Sequence, residues 1–292
     1  LHKTCLPGVY EITGETDTLP LIFDSPHSGR NYPGDFDYSC DFSTLQKAED
    51  RFVDRLFTKV PYNGGILLNA LFPRTYIDVN RTLEDIDPEL LADEWDGPIN
   101  PSARAYAGIG LIRRLISPGI PLYNRTLSSE EIRQRIDKYY IPYHKALKNL
   151  LDSAYKTHGS FWHINCHSMP SKSKLYKLYS DGKGKFADFV LGDRDGTSCE
   201  NDFITVLKEY LLDRGFNVSL NEPYRGVELV RLYSNPPAGK NSVQLEINRS
   251  LYLDEQSGKP LPDFNKFKKE MDKLSKFCAD YVASRFIQMA AD

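Results

Sequence analysis

Leu21-Ile22-Phe23-Asp24-Ser25-Pro26-His27-Ser28-Gly29 reads as a short buried strand that runs directly into a turn carrying an imidazole. Ligands in open α/β sheets gather outside the carboxyl ends of strands, so a histidine placed there among small neighbours is approachable. Helical spacing follows at Leu45, Ala48, Phe52, Val53, Leu56 and Phe57 and predicts a helix over residues 43–59, ended by Pro61 and the Gly64-Gly65 pair. The β-branched apolar runs 66–72 and 75–79 then predict two strands.

Strand and helix signals continue to alternate along the chain. Pro88, Pro98, Pro101, Pro118 and Pro121 break the stretch 84–127, expected as a long excursion that covers a cleft. Ser128 or Ser129 can cap a helix whose first turn carries Glu130 and Glu131 and whose apolar face is Ile132, Ile136, Tyr139 and Tyr140. Pro142 should kink it before residues 146–154 resume the stripe. Residues 161–166 predict a strand, 201–213 a helix closed by Gly215, and 263 onward an amphipathic helix. Ser242-Val243-Gln244-Leu245-Glu246-Ile247-Asn248 alternates strictly, with Val243, Leu245 and Ile247 on one face and Gln244, Glu246 and Asn248 on the other. With no repeat, low-complexity tract or linker, the pattern argues for one α/β domain over residues 1–292, a mixed central sheet flanked by helices.

The 292 residues are 40 % apolar, enough for a full core, and 37 basic against 40 acidic side chains give a net charge of −3. The basic residues are scattered, which argues against a phosphate-neutralising stripe and so against nucleic acid as a partner. No apolar run approaches the roughly 20 residues of a bilayer-spanning helix. Leu1 opens no basic-then-apolar signal pattern. Cys5, Cys40, Cys166, Cys199 and Cys278 are too few and too dispersed for a disulfide framework, which fits a reducing, cytoplasmic setting. Cys166, although next to His167, reads as a small buried apolar residue.

His27 and His167 both stand where a buried strand meets a turn. His163 lies four residues before His167, but Phe161-Trp162 and Ile164 read as strand, where four residues span about 13 Å, too far to share an ion at about 2 Å. His163 is therefore assigned to packing. The helix after His27 offers Glu49, Asp50 and Asp54; adjacent helical residues point about 100° apart, so at most one of Glu49 and Asp50 faces the site. Two imidazoles and a carboxylate form the ligand set of an open, catalytic zinc site. Arg74, Asn80 and Arg81 bracket the run 75–79, and guanidinium forks suit carboxylates and oxyanions; the plain alternative for Arg81 is a bridge to Asp78 or Glu84. Glu246, on the polar face of a buried strand, is costly unless paired, bound to metal or kept for proton transfer, with Arg249 or Arg231 the structural partner in the plain reading.

Several of these segments are shared. Ser25-Pro26-His27-Ser28-Gly29, Asp50-Arg51-Phe52-Val53-Asp54, Arg74-Thr75-Tyr76-Ile77-Asp78-Val79-Asn80-Arg81, His167-Ser168, Gly192-Asp193-Arg194-Asp195-Gly196-Thr197-Ser198-Cys199, Gln244-Leu245-Glu246 and Ser250-Leu251-Tyr252 resemble, in this order, the motifs of the N-formylglutamate amidohydrolase family, over about residues 21–253. The resemblance implies a zinc-carboxypeptidase-like fold and hydrolysis of N-formyl-L-glutamate to formate and L-glutamate, a step of histidine degradation. It implies one zinc per chain held by His27, Asp50 and His167, with Arg74 polarising the scissile carbonyl. Asn80 and Arg81 would hold a substrate carboxylate, Arg231 being a further candidate, and Glu246 would be the general base acting on zinc-activated water. Two departures stand out. Where the carboxypeptidase relatives place an acidic ligand three residues after the first histidine, this chain has Arg30, so the acid must come from further on and Glu49 rivals Asp50. Residues 224–231 match the family's substrate segment only loosely, which leaves acyl group and amine more open than the reaction. An exopeptidase or another N-acyl amino acid hydrolase is the nearest alternative; a catalytically silent carboxylate-binding module is the other, and the retained Glu246 argues against it.

Overall fold

The computed structural model describes residues 1–15, 19–117, 119–172 and 186–289, with backbone alone at 287–289. Eight strands, β1 (Lys3–Leu6), β2 (Tyr10–Thr13), β3 (Leu21–Ser25), β4 (Ile66–Ala70), β5 (Phe161–Met169), β6 (Phe189–Gly192), β7 (Val218–Leu220) and β8 (Lys240–Asn248), form one sheet in the order β1-β2-β4-β3-β5-β8-β6-β7. The central strands β4, β3, β5 and β8 are mutually parallel, while β2 and β6 run antiparallel to them on either side. The mixed α/β sheet is therefore as the alternation predicts. The helices are α1 (Phe42–Leu45), α2 (Val53–Leu56), α3 (Ala103–Tyr106), α4 (Ser129–Arg135), α5 (Ile141–His158), α6 (Asn201–Asp213), α7 (Glu228–Tyr233) and α8 (Phe264–Met289). The helix expected from residue 263 thus runs to Met289, and its last three residues lie outside the described ones.

The two faces of the sheet differ in kind. Phe23, Trp162, Ile164, Cys166, Val243, Leu245 and Ile247 point to one side and pack in a dry core with residues of α2, α6 and α8. The same three strands send Asp24, His163, Asn165, His167, Ser242, Gln244 and Glu246 to the other side, every one of them buried. A buried polar row is tolerable only when its groups pair. Here Asp24 Oδ1 accepts from His163 Nε2 (3.0 Å) and Asn165 Nδ2 (2.7 Å), Asp24 Oδ2 accepts from Tyr143 on α5 (2.7 Å), and Ser242 donates to His163 Nδ1 (2.7 Å). His163 is fully engaged in this network.

Two expected elements are corrected. Residues 43–59 do not form one helix: α1 and a 3-10 turn end at Ala48, Glu49 is extended, Phe52 has φ 67°, and α2 starts at Val53. The physical reason is that the apolar stripe serves two cores. Leu45 is buried on the polar-face side, with Ile22 and Ile66, whereas Val53, Leu56 and Phe57 are buried on the dry side, so the chain must break where it changes sides. Residues 75–79 are not a strand. Their backbone groups are satisfied by side chains and by the excursion: Arg135 Nη1 donates to Tyr76 O (3.1 Å), His144 Nε2 to Val79 O (2.8 Å) and Asp78 N to Leu111 O (2.8 Å).

The excursion 84–127 is anchored, with Leu111, Ile112, Leu122, Tyr123 and Leu127 in the core beside Tyr76, Ile77 and Val79. After the capping box of Ser128 and Glu131, the π-helical turn Ile136–Tyr140 accommodates the missing N–H of Pro142 at the start of α5, where a kink is predicted.

Asp24→Ala would strand three buried donors at once, so it should cost about 3–5 kcal/mol of stability. Urea unfolding measures this directly, and a loss below about 1 kcal/mol would mean that the polar rows do not support the sheet.

Candidate metal centre and active site

The break at residues 49–52 is what builds the site. Glu49 at φ −80° and ψ 149° swings the chain inward, Asp50 N donates to the carbonyl of His27 (3.0 Å), and Ser28 Oγ donates to the carbonyl of Asp50 (2.9 Å). Asp50 is thereby tied to the turn that carries His27. On the neighbouring strand β5, His167 points to the same side, and Asp50 Oδ2 ends 3.1 Å from His167 Nδ1 and 3.4 Å from His27 Nδ1.

Three donor atoms, one from each of His27, Asp50 and His167, lie within 4.8 Å of one another, and all three residues are buried. Ligands about 2.0–2.1 Å from a tetrahedral ion stand about 3.3 Å apart, close to the two spacings just given. The far ring nitrogens are already committed. His27 Nε2 donates to Asp78 Oδ1 (2.7 Å), and His167 Nε2 donates to Asn165 Oδ1 (2.7 Å), whose amide orientation is set because its Nδ2 donates to Asp24. Each imidazole therefore has its Nδ1 left to face Asp50. His27 Nδ1, sealed from solvent, makes no hydrogen bond at all. A buried ring nitrogen without a hydrogen-bond partner, next to a carboxylate, is what a divalent cation would satisfy, and the outer hydrogen bonds are of the kind that orient metal-bound histidines.

Burial opposes ionisation of Asp50, yet the imidazoles of His167 and His27 and the charge of Arg74 hold its carboxyl well below the usual range. Asp50 Oδ1 also takes Arg249 Nη2 at 3.0 Å, so Arg249, one expected structural partner of Glu246, serves Asp50 instead. Glu49 goes elsewhere. It is 1 % exposed, both its oxygens lack a hydrogen bond, and burial raises its pKa to about 8 against the pull of Arg51, Arg30 and Arg249; it faces a separate cavity of about 340 Å³ with Arg51 and Arg249.

Glu246 stands directly opposite His167 in the parallel β5/β8 register. Gln244 Nε2 donates to its Oε1 (2.8 Å). Burial raises its pKa, opposed by the charge of His167, with Asp50 acting in the same direction as burial and Arg74 against it. Arg74 Nη2 pairs with Asp78 Oδ2 (2.7 Å) and Nη1 lies 3.9 Å from Asp50. Asp78, weighed in the sequence only as a partner for Arg81, instead links Arg74 to His27 and is held well below the usual carboxylate range although burial opposes it.

The remaining candidates separate. Asn80 Oδ1 accepts from Leu229 N (2.9 Å) at the start of α7, and its Nδ2 lies 3.2 Å from His167 Nε2. Arg81 is buried, donates to the carbonyls of Asn80 (3.0 Å) and Ile109 (3.3 Å), and lies 3.8 Å from Asp85; burial lowers its pKa to about 10. It borders a cavity of about 440 Å³ walled by excursion residues Asn100 to Arg104 and by Val227 and Glu228. Arg231 is not brought into the cluster. Its side chain is 50 % exposed and its fork is closed on Glu228, one turn earlier on α7, at 2.8 Å twice.

Sequence reasoning missed Asn165, although its place two residues before His167 puts it on the same strand face. It also missed Arg113, a buried arginine in the excursion whose side chain makes no hydrogen bond or ion pair among the described residues. No local pattern distinguishes Arg113 from the adjacent Arg114, which pairs with Asp87 (2.6 Å) and Glu89 (2.9 Å).

A sheet that gathers two imidazoles and a carboxylate, with a second buried carboxylate on the adjoining strand, is the framework of a hydrolase with a metal-capable centre. The sequence profile of the N-formylglutamate amidohydrolase family matches residues 19–253. N-formylglutamate deformylase of Pseudomonas putida is 27 % identical over 243 residues, 81 % of this chain and 83 % of that protein. The crystal structure of N-formylglutamate amidohydrolase from Ralstonia eutropha is 40 % identical, with TM-score 0.90 over 95 % of this chain and 99 % of that one. A gene product of Agrobacterium tumefaciens, 16 % identical over 97 % and 96 % of the two chains, shares the fold at TM-score 0.63. The chain belongs to the N-formylglutamate amidohydrolase family and is an amidohydrolase.

The geometry separates Asp50 from Glu49 in a measurable way. Asp50→Asn should lower the divalent metal retained after dialysis at least tenfold, as should His27→Ala with His167→Ala, whereas Glu49→Gln should leave it near native. Elemental analysis of the purified variants decides, and the reverse order for Asp50 and Glu49 would move the ligand to Glu49.

Proposed function

We propose that the protein hydrolyses the formyl amide of N-formyl-L-glutamate to formate and L-glutamate, with a zinc ion held by His27 Nδ1, Asp50 Oδ2 and His167 Nδ1. The observation that carries this reading is the unpartnered His27 Nδ1 converging with the other two donor atoms, with Glu246 beside them on the next strand. Two imidazoles favour zinc over magnesium. When bound, such an ion supplies a Lewis acid that polarises a carbonyl and makes water acidic enough to deprotonate near neutral pH.

Glu246 takes a proton from the attacking water and returns it to the leaving amine. Its raised pKa suits both halves of that task, since a base too acidic would hold the proton too weakly to deliver it. Arg74, fixed by Asp78, lies close enough to Asp50 and Glu246 to oppose the charge that develops on the carbonyl oxygen. Arg81 holds a substrate carboxylate with Nη2, because its Nε and Nη1 already serve carbonyls. Asn80, whose Oδ1 accepts from Leu229 N, positions the start of α7 rather than the substrate. Arg231 stays outside this machinery. The five free cysteines, three of them buried, support a reducing, cytoplasmic setting.

Formate release from N-formylglutamate with and without chelator tests the reaction, and parallel assays on N-acetylglutamate, N-formylaspartate and a glutamyl dipeptide separate it from exopeptidase or broader N-acyl amino acid hydrolase activity. Glu246→Gln should lower kcat by a factor on the order of 10² to 10⁴ with KM little changed and metal retained. Near-native kcat in that variant would make Glu246 a structural residue and remove the proposed chemistry. Arg81→Ala should act chiefly on KM, with Arg81→Lys restoring only part, since an ammonium cannot hold the Ile109 and Asn80 carbonyls and a substrate carboxylate in the guanidinium's fixed directions.

A further inference from the structure

The guanidinium groups around the site can be matched to anions one by one. Arg74 is paired with Asp78 (2.7 Å), Arg249 with Asp50 (3.0 Å), Arg81 lies 3.8 Å from Asp85, and Arg114 is paired with Asp87 and Glu89. Arg113 is left over. It is 8 % exposed, its Nε is sealed from solvent without a partner, and its terminal nitrogens make no hydrogen bond either. An unpaired buried cation is among the most costly features a fold can carry. Burial lowers its pKa to about 9, with Arg74 and Arg81 adding to the effect and Asp78 and Asp50 opposing it, which also identifies the residues it faces.

Its place is fixed by backbone. Leu111, two residues earlier, accepts from Asp78 N and donates to Asp85 O, and Ile109 accepts from Arg81 Nε, so the excursion is fastened to the segment that carries Arg74, Asp78 and Arg81. Arg113 is not mobile surface decoration. Among the described residues nothing explains a guanidinium held in that position without a counter-ion, and a ligand that brings one does.

We infer that Arg113 is a second carboxylate-binding site of the active centre, which takes one carboxylate of a dicarboxylate substrate while Arg81 takes the other. The inference rests on the proposed reaction for the identity of that substrate. N-formylglutamate carries an α- and a γ-carboxylate, and a single arginine would select for only one of them. Discrimination against a glutamine or a norvaline analogue then follows from Arg113 being left unpaired, the same physics that makes a site built for a polar group reject a ligand without it.

The test uses Arg113→Met, which keeps the apolar length of the side chain, and Arg113→Lys, which keeps the charge. Kinetics are measured on N-formylglutamate and on its two mono-amides, one lacking the γ- and one the α-carboxylate charge. Arg113→Met should raise KM for N-formylglutamate by about tenfold to a hundredfold with kcat near native, and should leave KM for one of the two amides unchanged, because that amide never used Arg113. Arg113→Lys should recover part of the loss. A uniform loss on all three substrates, or none on any, overturns the proposal.

Equilibrium binding supplies a readout that does not depend on turnover. Glutarate should raise the Tm of the native protein and leave that of Arg113→Met unmoved, while ligand-free Arg113→Met should be at least as stable as native because an unpaired cation has gone. Equal stabilisation of both proteins by glutarate overturns the proposal. If the native protein releases no formate from N-formylglutamate, the proposed reaction fails, and the glutarate comparison still decides whether Arg113 binds a carboxylate.

Discussion

Asp50 Oδ2 lies 3.1 Å from His167 Nδ1 and 3.4 Å from His27 Nδ1 while Oδ1 takes Arg249 at 3.0 Å, and each partner arrives from a different part of the chain. A carboxylate this deeply buried is tolerable only while those partners hold it. It also fixes the chain in return. Its own N–H and carbonyl close on His27 and Ser28, so backbone and side chain together tie the turn after β3 to the end of β5 and to the segment after β8. Removing that carboxylate would take away the one group that touches all three, leaving pairwise contacts such as Arg249 Nε to Ser168 Oγ (3.0 Å) and the His27 ring against the His167 ring (4.6 Å).

The sheet supplies the rigidity behind this contact by dividing labour between its faces. Apolar packing lies on both sides, under α2, α6 and α8 on the dry one and around α5 and the excursion on the other, where it encloses the polar rows. On the other side the polar residues form successive rows across β3, β5 and β8: His163 beside Ser242, then Asp24 beside Asn165 and Gln244, then His167 beside Glu246. Each row orients the next. Asp24 sets Asn165, Asn165 sets His167, and Gln244 sets Glu246, all at 2.7–2.8 Å. The reacting groups are thus held at the end of two hydrogen-bonded chains rooted in strands, which is how donor atoms are kept aligned without reorganising during a reaction.

How much of this was legible in the sequence depended on how local the cause was. The alternation in Ser242 to Asn248 is a property of the strand itself, and it correctly separated Val243, Leu245 and Ile247 from Gln244, Glu246 and Asn248. The helix Asn201–Asp213 and the cap at Ser128 were equally local. The break at Glu49 was not, because Leu45, Ala48, Phe52 and Val53 keep helical spacing whether they face one core or two. Residues 75–79 looked like a strand because their β-branched content was read without the distant partners, Arg135, His144 and Leu111, that satisfy their backbone. The outer strands β1, β2, β6 and β7, three or four residues each, were too short for a period to register. Among site residues, the two histidines and Glu246 showed themselves by chemistry at strand ends, whereas Arg113 and Arg114 are indistinguishable until the fold gives one of them two acids and the other none.

That last difference bears on how an almost neutral protein captures a dianion. With a net charge of −3 the molecule as a whole offers an anionic substrate no attraction, so the positive potential must be local. Matched pairs such as Arg74 with Asp78 contribute little net field, because each guanidinium is largely cancelled by its carboxylate. Arg81, bonded mainly to neutral carbonyls and 3.8 Å from Asp85, is cancelled only in part, and Arg113 has no carboxylate paired with it among the described residues. The uncancelled charge therefore sits on two buried arginines whose chain segments are joined through Ile109 and Leu111 rather than at the protein surface. A divalent ion held by His27, Asp50 and His167 would add to that potential. A ligand with a single carboxylate would leave one of these cations unanswered, so the electrostatics of the site, independent of its reaction, favour a small molecule that carries negative charge at two points.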